Sequence, residues 1–491
     1  MVVSLKIIYI GLVLGLVVAY TQAASISDNS LPTYDTIVVG LGASGTAAAT
    51  TLARAGRRVL GLEAQERIGG RVYTVPFDDG VVEVGAEWIH GQIGSRTYEL
   101  TVQNNVSIIA DETSVGGYRS DGTLLDDNTM NLMKELVEKG MEIAADSPEP
   151  PEPLGQYITR KLMQYIEKKH PELLNDKEFL AQFFEYMDLN IDTYEATTSW
   201  NDISTASQSV ELEGNQAMSW HRNGYKTLFE ILLNTYRNGS GLPTLQYKLN
   251  TEVTKITLSE APNKVFVTCK DGSTYAADNV IVTPSVAVLK ERHATLFSLP
   301  LPKDKVDAIN NIKMGVESKI MFRFPNRWWG DNGFFAFLWR TEDKSGTEDV
   351  WVKKIPAVST PMGASNVLTL WLTGDYAVMA ENLPDDEVRA KGMALLRRFL
   401  GANITIPEPV EMLRSLWHKN PHVLGSFTYD DVDYPHHVTA RADLARPITD
   451  ENGVPRILFA GEATHTQQFS TVHGAVDTGY REANRLLGNT V

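Results

Sequence analysis

Gly40, Gly42 and Gly45 stand in the spacing Gly-x-Gly-x-x-Gly, with Ser44 inside it and Glu63 about 20 residues further on. Glycines so placed suit the binding of a pyrophosphate. They permit a tight turn, let the backbone approach the phosphates and bring the positive end of a helix against them. An acid at the place of Glu63 can accept from ribose hydroxyls. The set predicts a dinucleotide site, against the bland alternative of a glycine-rich turn. His90 lies where the apolar run from Val81 breaks into Gly91, and is either an active-site side chain or a structural histidine. Glu211 and Glu213 alternate along a short stretch and are either substrate carboxylates or surface charges.

The elements that must position these residues can be read around them. Asp35 to Val39 is a β-branched strand, Thr46 to Ala55 a helix of small residues, and Arg58 to Leu62 a second strand, which together form a βαβ unit. At the far end of the chain a strand from Arg456 to Ala460 meets Gly461-Glu462. A helix then opens at Val472 and runs to Leu487. This second helix N-terminus can face the same ligand, so the nucleotide domain must be discontinuous. Between the two ends, Met130 to Ala145, Leu154 to Lys169 and Glu178 to Leu189 read as amphipathic helices of an inserted domain, broken by the prolines from Pro148 to Pro153. Strand patterns return at Leu245 to Leu258, Val265 to Cys269 and Asn279 to Thr283. Lys319 to Phe324 and Val367 to Thr373 suggest a second sheet, and Pro384 to Leu400 a helix.

A chain of 491 residues with 43% hydrophobic and 22% charged residues can bury a large core in two or three domains. Its net charge of −16 argues against nucleic acid and anionic membranes as partners, and either favours cationic ligands or only keeps the protein soluble. Residues 1–23 read as a secretory signal: Lys6, an apolar run from Ile7 to Ala19, then small residues up to Ala23. The run is short beside the ~20 residues of a membrane span, although a retained anchor is the alternative. The expectation is a secreted protein, with acceptor patterns for glycans at Asn105, Asn238 and Asn403. Cys269 is the only cysteine, which rules out an intramolecular disulfide, and no metal site is expected.

Taken in order, these motifs resemble the flavin-containing amine oxidase family, in particular animal polyamine oxidases of the spermine and acetylpolyamine oxidase type. The resemblance implies an α/β fold. A discontinuous FAD-binding, Rossmann-like domain of the glutathione-reductase type would comprise residues 33–115, 245–312 and 425–491. A substrate domain of mixed sheet and inserted helices would comprise 116–244 and 313–424. Glu63-Ala64 through Gly70-Arg71 is similar to the extension that flavoproteins of this kind place after the ribose acid, with Arg71 near the pyrophosphate. Gly85, Ala86, Glu87, Trp88 and His90 resemble the segment on the substrate side of the flavin. Lys319 resembles the lysine that holds a water beside flavin N5, and Val253 a backbone contact to adenine. Gly461, Glu462, Thr471 and Val472 match segments around the ribityl chain, pyrophosphate and ring, and Trp417 and Phe427 the aromatic pair flanking the ring.

Two departures from the family's monoamine oxidases carry expectations of their own. Gly425 to Tyr429 contains no cysteine, so the FAD is expected to be noncovalent. Thr471 replaces a cage tyrosine, leaving Phe427 and Thr471 as the walls of a wider, more polar mouth. The expected reaction oxidises an amine of a polyamine to an imine that hydrolyses, while O2 becomes hydrogen peroxide. His90, Glu211 and Glu213 would line the tunnel, in a monomer or weak dimer. An L-amino-acid oxidase and a catalytically silent flavoprotein are the alternatives.

Overall fold

In the computed structural model, residues 31–259, 263–345, 350–402 and 404–489 are described; the secretory signal expected at 1–23 and the glycan acceptor expected at Asn403 lie outside them. Thr33–Val39 (β1) is buried from Thr36 onward, as a strand covered on both faces must be. It pairs in parallel with Thr274–Val282 on one side, Ile37 opposite Val280. On its other side it pairs with Val59–Leu62 (β2), Ile37 opposite Leu60, and beyond β2 lies Leu245–Lys248. The strand Pro455–Phe459 joins in parallel at Val280 to Val282. One eight-stranded sheet is thus assembled from widely separated stretches of a mixed α/β chain. Between β1 and β2 runs the helix Ala43–Arg54 (α1). Helix Val472–Leu487 lies across α1 so closely that a Cβ on Gly479 would stand 2.2 Å from the Ser44 carbonyl oxygen.

A six-stranded sheet forms the second layer, with Glu317–Arg323 paired antiparallel to Val367–Thr373. In that register Lys319 faces Trp371. Helices Asp127–Ala144, Leu154–Lys169 and Lys177–Glu195 share an apolar core that also takes in Ala336 and Leu338 of the sheet. Two of them start on acids that accept from the first turn, Asp126 from Thr129 N–H and Asp176 from Phe179 N–H. The third helix runs past the expected Leu189 to Glu195. Ile191 and Asp192 are buried there, and the Asp192 carboxylate takes a bond from the Thr197 hydroxyl, so letters that read as polar surface belong to a packed turn. The run from Val81 to His90 is not one strand. Gly80–Glu83 forms a hairpin with Thr74–Phe77, the chain leaves the sheet at Val84, and Trp88–Ile89 pairs with Met218–Ser219. The helices at Leu154–Lys169 and Val472–Leu487 begin and end where periodicity places them.

Candidate active site

A continuous cavity of about 680 Å³ joins the glycine turn to the second sheet. At its nucleotide end Gly40 adopts φ +90°, and a Cβ on Gly45 would stand 2.0 Å from the Gly40 carbonyl oxygen. Gly45 therefore sits behind the wall, while Gly40, Gly42 and Ser44 form it. Gly42 caps α1 without a side chain, and the first turn holds no acid, so N–H groups remain for an anion. The Ser44 hydroxyl is bonded to Thr478 Oγ1 at 3.1 Å, tying α1 to the C-terminal helix. Glu63 is buried and oriented by two backbone donors, Leu41 N–H at 2.7 Å and Gln65 N–H at 2.9 Å. Each carboxylate oxygen keeps a lone pair for a further donor such as a ribose hydroxyl. Ala64, Gly70 and Val253 line the same end, Val253 at an irregularity in the register of its strand.

Arg71 crosses the floor of the cavity. It donates to Glu462 Oε1 and to the Ser426 carbonyl, both at 2.8 Å. Glu462 Oε2 takes bonds from Thr428 Oγ1 and Ser470 N–H. Burial works to raise the Glu462 carboxyl, but Arg71, Arg441 and Thr428 overcome it and hold the group below its ordinary value. Glu462 thus braces Arg71, and Gly461, at φ +133°, turns the chain into that brace. Bare helix N–H groups, an oriented acid and a braced arginine along one channel fit a bound dinucleotide.

At the other end Lys319 is buried, and its ammonium donates to three oxygens: Glu83 O at 3.1 Å, Gly85 O at 2.9 Å and Glu87 Oε2 at 2.7 Å. All three of its donors are therefore engaged by protein. To hold a water, as the resemblance suggests, one of these bonds must open. Gly85 lies too near Arg71 for a side chain, since a Cβ would be 1.9 Å from the Arg71 carbonyl oxygen. The Lys319 ammonium sits 4.5 Å from the Trp371 ring centre, and Trp371 stacks on Trp88 at 5.5 Å. Burial pushes the Glu83 and Glu317 carboxyls up to about 7 each. Trp417 donates to the Val84 carbonyl at 3.2 Å and lines the cavity with Phe427 and Ala86.

Further along the wall, His90 Nδ1 lies 2.6 Å from the Gln216 carbonyl, so Nδ1 carries the proton and Nε2 is left as an acceptor. Burial lowers its pKa, against the Gln216 bond and Glu211, which favours the neutral ring. Thr471 caps the C-terminal helix, accepting from Gly474 N–H at 3.0 Å and donating to the Gln468 carbonyl at 2.8 Å; Val472 lines the cavity beside it. Glu211 lies on the wall, but Glu213 does not. Residues around Glu213 are bent loop rather than strand, and its side chain is exposed beyond the cavity. That expectation is corrected: without the strand's alternation the two acids need not share a face.

Several wall residues escaped the sequence reading. Tyr194 and Glu195 close the third helix at the cavity, Tyr194 with 64% of its surface open. Burial, with Asp430 adding to it, pushes the Glu195 carboxyl up to about 7. Trp371 had a signal, as the strand partner of Lys319. His473 is buried with Nε2 unpaired, and burial, with His90 and His465 nearby, lowers it to about 3.

Residues 43–487 match the family described as flavin containing amine oxidoreductase. The chain is 30% identical over 501 residues to the peroxisomal N(1)-acetyl-spermine/spermidine oxidase of Bos taurus, and 30% identical over 497 residues to that of Homo sapiens. Each alignment covers 92% of this chain and 94% of the relative. It is 26% identical to probable polyamine oxidase 5 of Arabidopsis thaliana, over 92% of this chain and 97% of that one. Among solved structures, a double mutant of putrescine oxidase redesigned in cofactor binding is similar, with a TM-score of 0.63 and 19% identity. That likeness, a likeness of fold, covers 93% of this chain and 100% of the other. This chain therefore belongs to the flavin-containing amine oxidoreductase family and is a flavin-dependent amine oxidase.

Proposed function

We propose that the protein is an FAD-dependent polyamine oxidase acting on spermine, spermidine or their acetylated forms. The observation that carries this reading is the continuity of the cavity, from the glycine turn past Lys319 to the acids Glu195 and Glu211. When bound, FAD supplies the acceptor for the hydride that leaves the carbon beside an amine nitrogen, and O2 takes the electrons up as hydrogen peroxide. Gly40, Gly42, Ser44, Glu63, Ala64, Gly70, Arg71, Val253 and Glu462 would hold the dinucleotide. Trp417, Phe427, Trp88 and Trp371 would exclude water from the reacting end. Neutral His90 offers Nε2 to an ammonium N–H, and Glu211 and Glu195 offer carboxylates to charges further along the chain. An approaching ammonium favours the ionised form of Glu195.

An L-amino-acid oxidase would need an arginine for the substrate carboxylate. The arginines on this wall are Arg71, held by Glu462 and Ser426, and Arg292, held by Glu252 and Pro421. Both are engaged, which favours the polyamine reading. The test is an anaerobic screen of flavin bleaching across spermine, spermidine, acetylated forms, benzylamine and leucine. Each paired ammonium is worth about 1.4 kcal/mol, so a polyamine is expected to win by roughly tenfold per paired charge. The margin should shrink in high salt, where screening acts within a Debye length of about 8 Å or less. Faster reduction by leucine or benzylamine rejects the polyamine assignment, and a flavin that no amine bleaches supports the silent alternative.

We further propose that the FAD is noncovalent. Cys269, the only cysteine, is buried in the strand Val265–Cys269 and does not line the cavity. Acid precipitation should leave the yellow colour in the supernatant; colour in the pellet contradicts this. Membership of the two larger sheets supports the division at 33–115, 245–312 and 425–491 against 116–244 and 313–424, although Val115–Arg119 opens in the second sheet. Secretion rests on the leader, and exposure of Asn105 and Asn238 is compatible with glycans there. The two mammalian relatives are named peroxisomal, so on this reading the present chain differs in location. A monomer or weak dimer completes the proposal.

A further inference from the structure

Glu317 differs from the other carboxyls around Lys319. Glu87 is bonded to the lysine, and Glu83 accepts from Tyr225 N–H at 2.7 Å and from the Thr74 hydroxyl. The Glu317 side chain has no hydrogen bond or ion pair among the described residues, and it lines the cavity. Its backbone is nonetheless pinned: Glu317 N–H donates to Ser426 Oγ at 2.7 Å, and that hydroxyl donates back to the Glu317 carbonyl at 3.0 Å. It stands two positions before Lys319 on one strand and so shares its face. A carboxyl anchored at its root and open at its tip is left for a ligand.

We propose that Glu317 accepts the proton that the substrate's ammonium must lose before its carbon can be oxidised. The N–H bond breaks, an O–H bond forms on the carboxylate, and the electron pair stays on nitrogen as the free amine. No oxidant enters this step, and the proton later leaves to solvent. The inference rests on the amine-oxidising reading above. The charged groups acting on Glu317 are Lys319 on its own strand and Glu87 on the segment after the hairpin; Thr373 across the strand and Ser426 are neutral. Burial raises the carboxyl to about 7, with Lys319 opposing and Glu87 adding, which suits a base working near neutral pH.

The test follows anaerobic flavin reduction by the best amine of the screen, between about pH 5.5 and 9, in holoenzyme, Glu317→Gln and Glu317→Asp. In the wild type the limiting rate is expected to rise through an apparent pKa near 7. Glu317→Gln should reduce the flavin roughly tenfold more slowly at pH 7 and lose the acid limb, and Glu317→Asp should keep a limb at a shifted pKa. An unchanged limiting rate with weaker amine binding would make Glu317 an anchor and overturn the proposal. So would an unchanged pH profile in Glu317→Asp. A wild-type flavin that no amine reduces defeats the functional reading instead.

Discussion

Gly45→Ala is expected to yield a destabilised protein that purifies without flavin. The added Cβ meets the Gly40 carbonyl oxygen at 2.0 Å and the Thr283 hydroxyl at 3.1 Å. The first is backbone of the turn itself, and the second is bonded to the Val39 carbonyl, so neither yields without moving β1 from α1. Overpacking of this kind costs about 3 kcal/mol, and the displaced turn no longer presents its N–H groups to a phosphate. Gly56→Ala is the control. It sits at φ +81° with nothing within 4 Å of the new Cβ, so only backbone strain of about 1 kcal/mol is expected, with flavin retained. Flavin absorbance and thermal unfolding with and without added FAD measure both effects. Gly45→Ala with wild-type flavin affinity would contradict the account of the turn.

Lys319→Met should bind FAD yet slow flavin reduction or reoxidation by about 100-fold. It should also lose about 3–5 kcal/mol of stability, because Glu87, with 8% of its side chain exposed, keeps a buried charge without its partner. The sign of the accompanying pH effect follows from Glu317, whose carboxyl Lys319 holds down. Removing the ammonium raises that carboxyl further, so the acid limb of flavin reduction should move to higher pH. Stopped-flow measurement of both half-reactions and denaturant unfolding separate these effects. Wild-type rates in both half-reactions would leave Lys319 a structural lysine.

The nucleotide half of the site was legible because its signals are local. Glycine spacing, the β-branched strand and the acid after β2 all act within one supersecondary unit, and Val472–Leu487 declared itself by periodicity. Lys319 and Trp417 came through the family resemblance. What stayed hidden depends on packing between distant segments. Glu195 reads as the polar end of a helix, and nothing near it in the chain says that a cavity lies against it. For Glu213 the letters left a substrate carboxylate and a surface charge open, and only the packed chain places it on an exposed loop beyond the cavity wall. The three bonds that occupy the Lys319 ammonium come from Glu83, Gly85 and Glu87, at the last residue of Gly80–Glu83 and in the segment after it, which strand patterning had smoothed into a single run.

The contact of Gly479 with Ser44, and the Ser44–Thr478 bond beside it, bear on how the molecule is made. Ser44 of α1 and Thr478 of its crossing partner lie 434 residues apart in the chain, so α1 leaves the ribosome long before the helix it packs against. Domains ordinarily fold as they emerge, N-terminal parts first. Here the glycine turn must wait for the several hundred residues that separate it from Thr471, Val472 and the brace at Glu462 before its channel is complete. A message cut by a late stop codon would therefore encode every glycine of the nucleotide turn and still yield a chain unable to take up its cofactor.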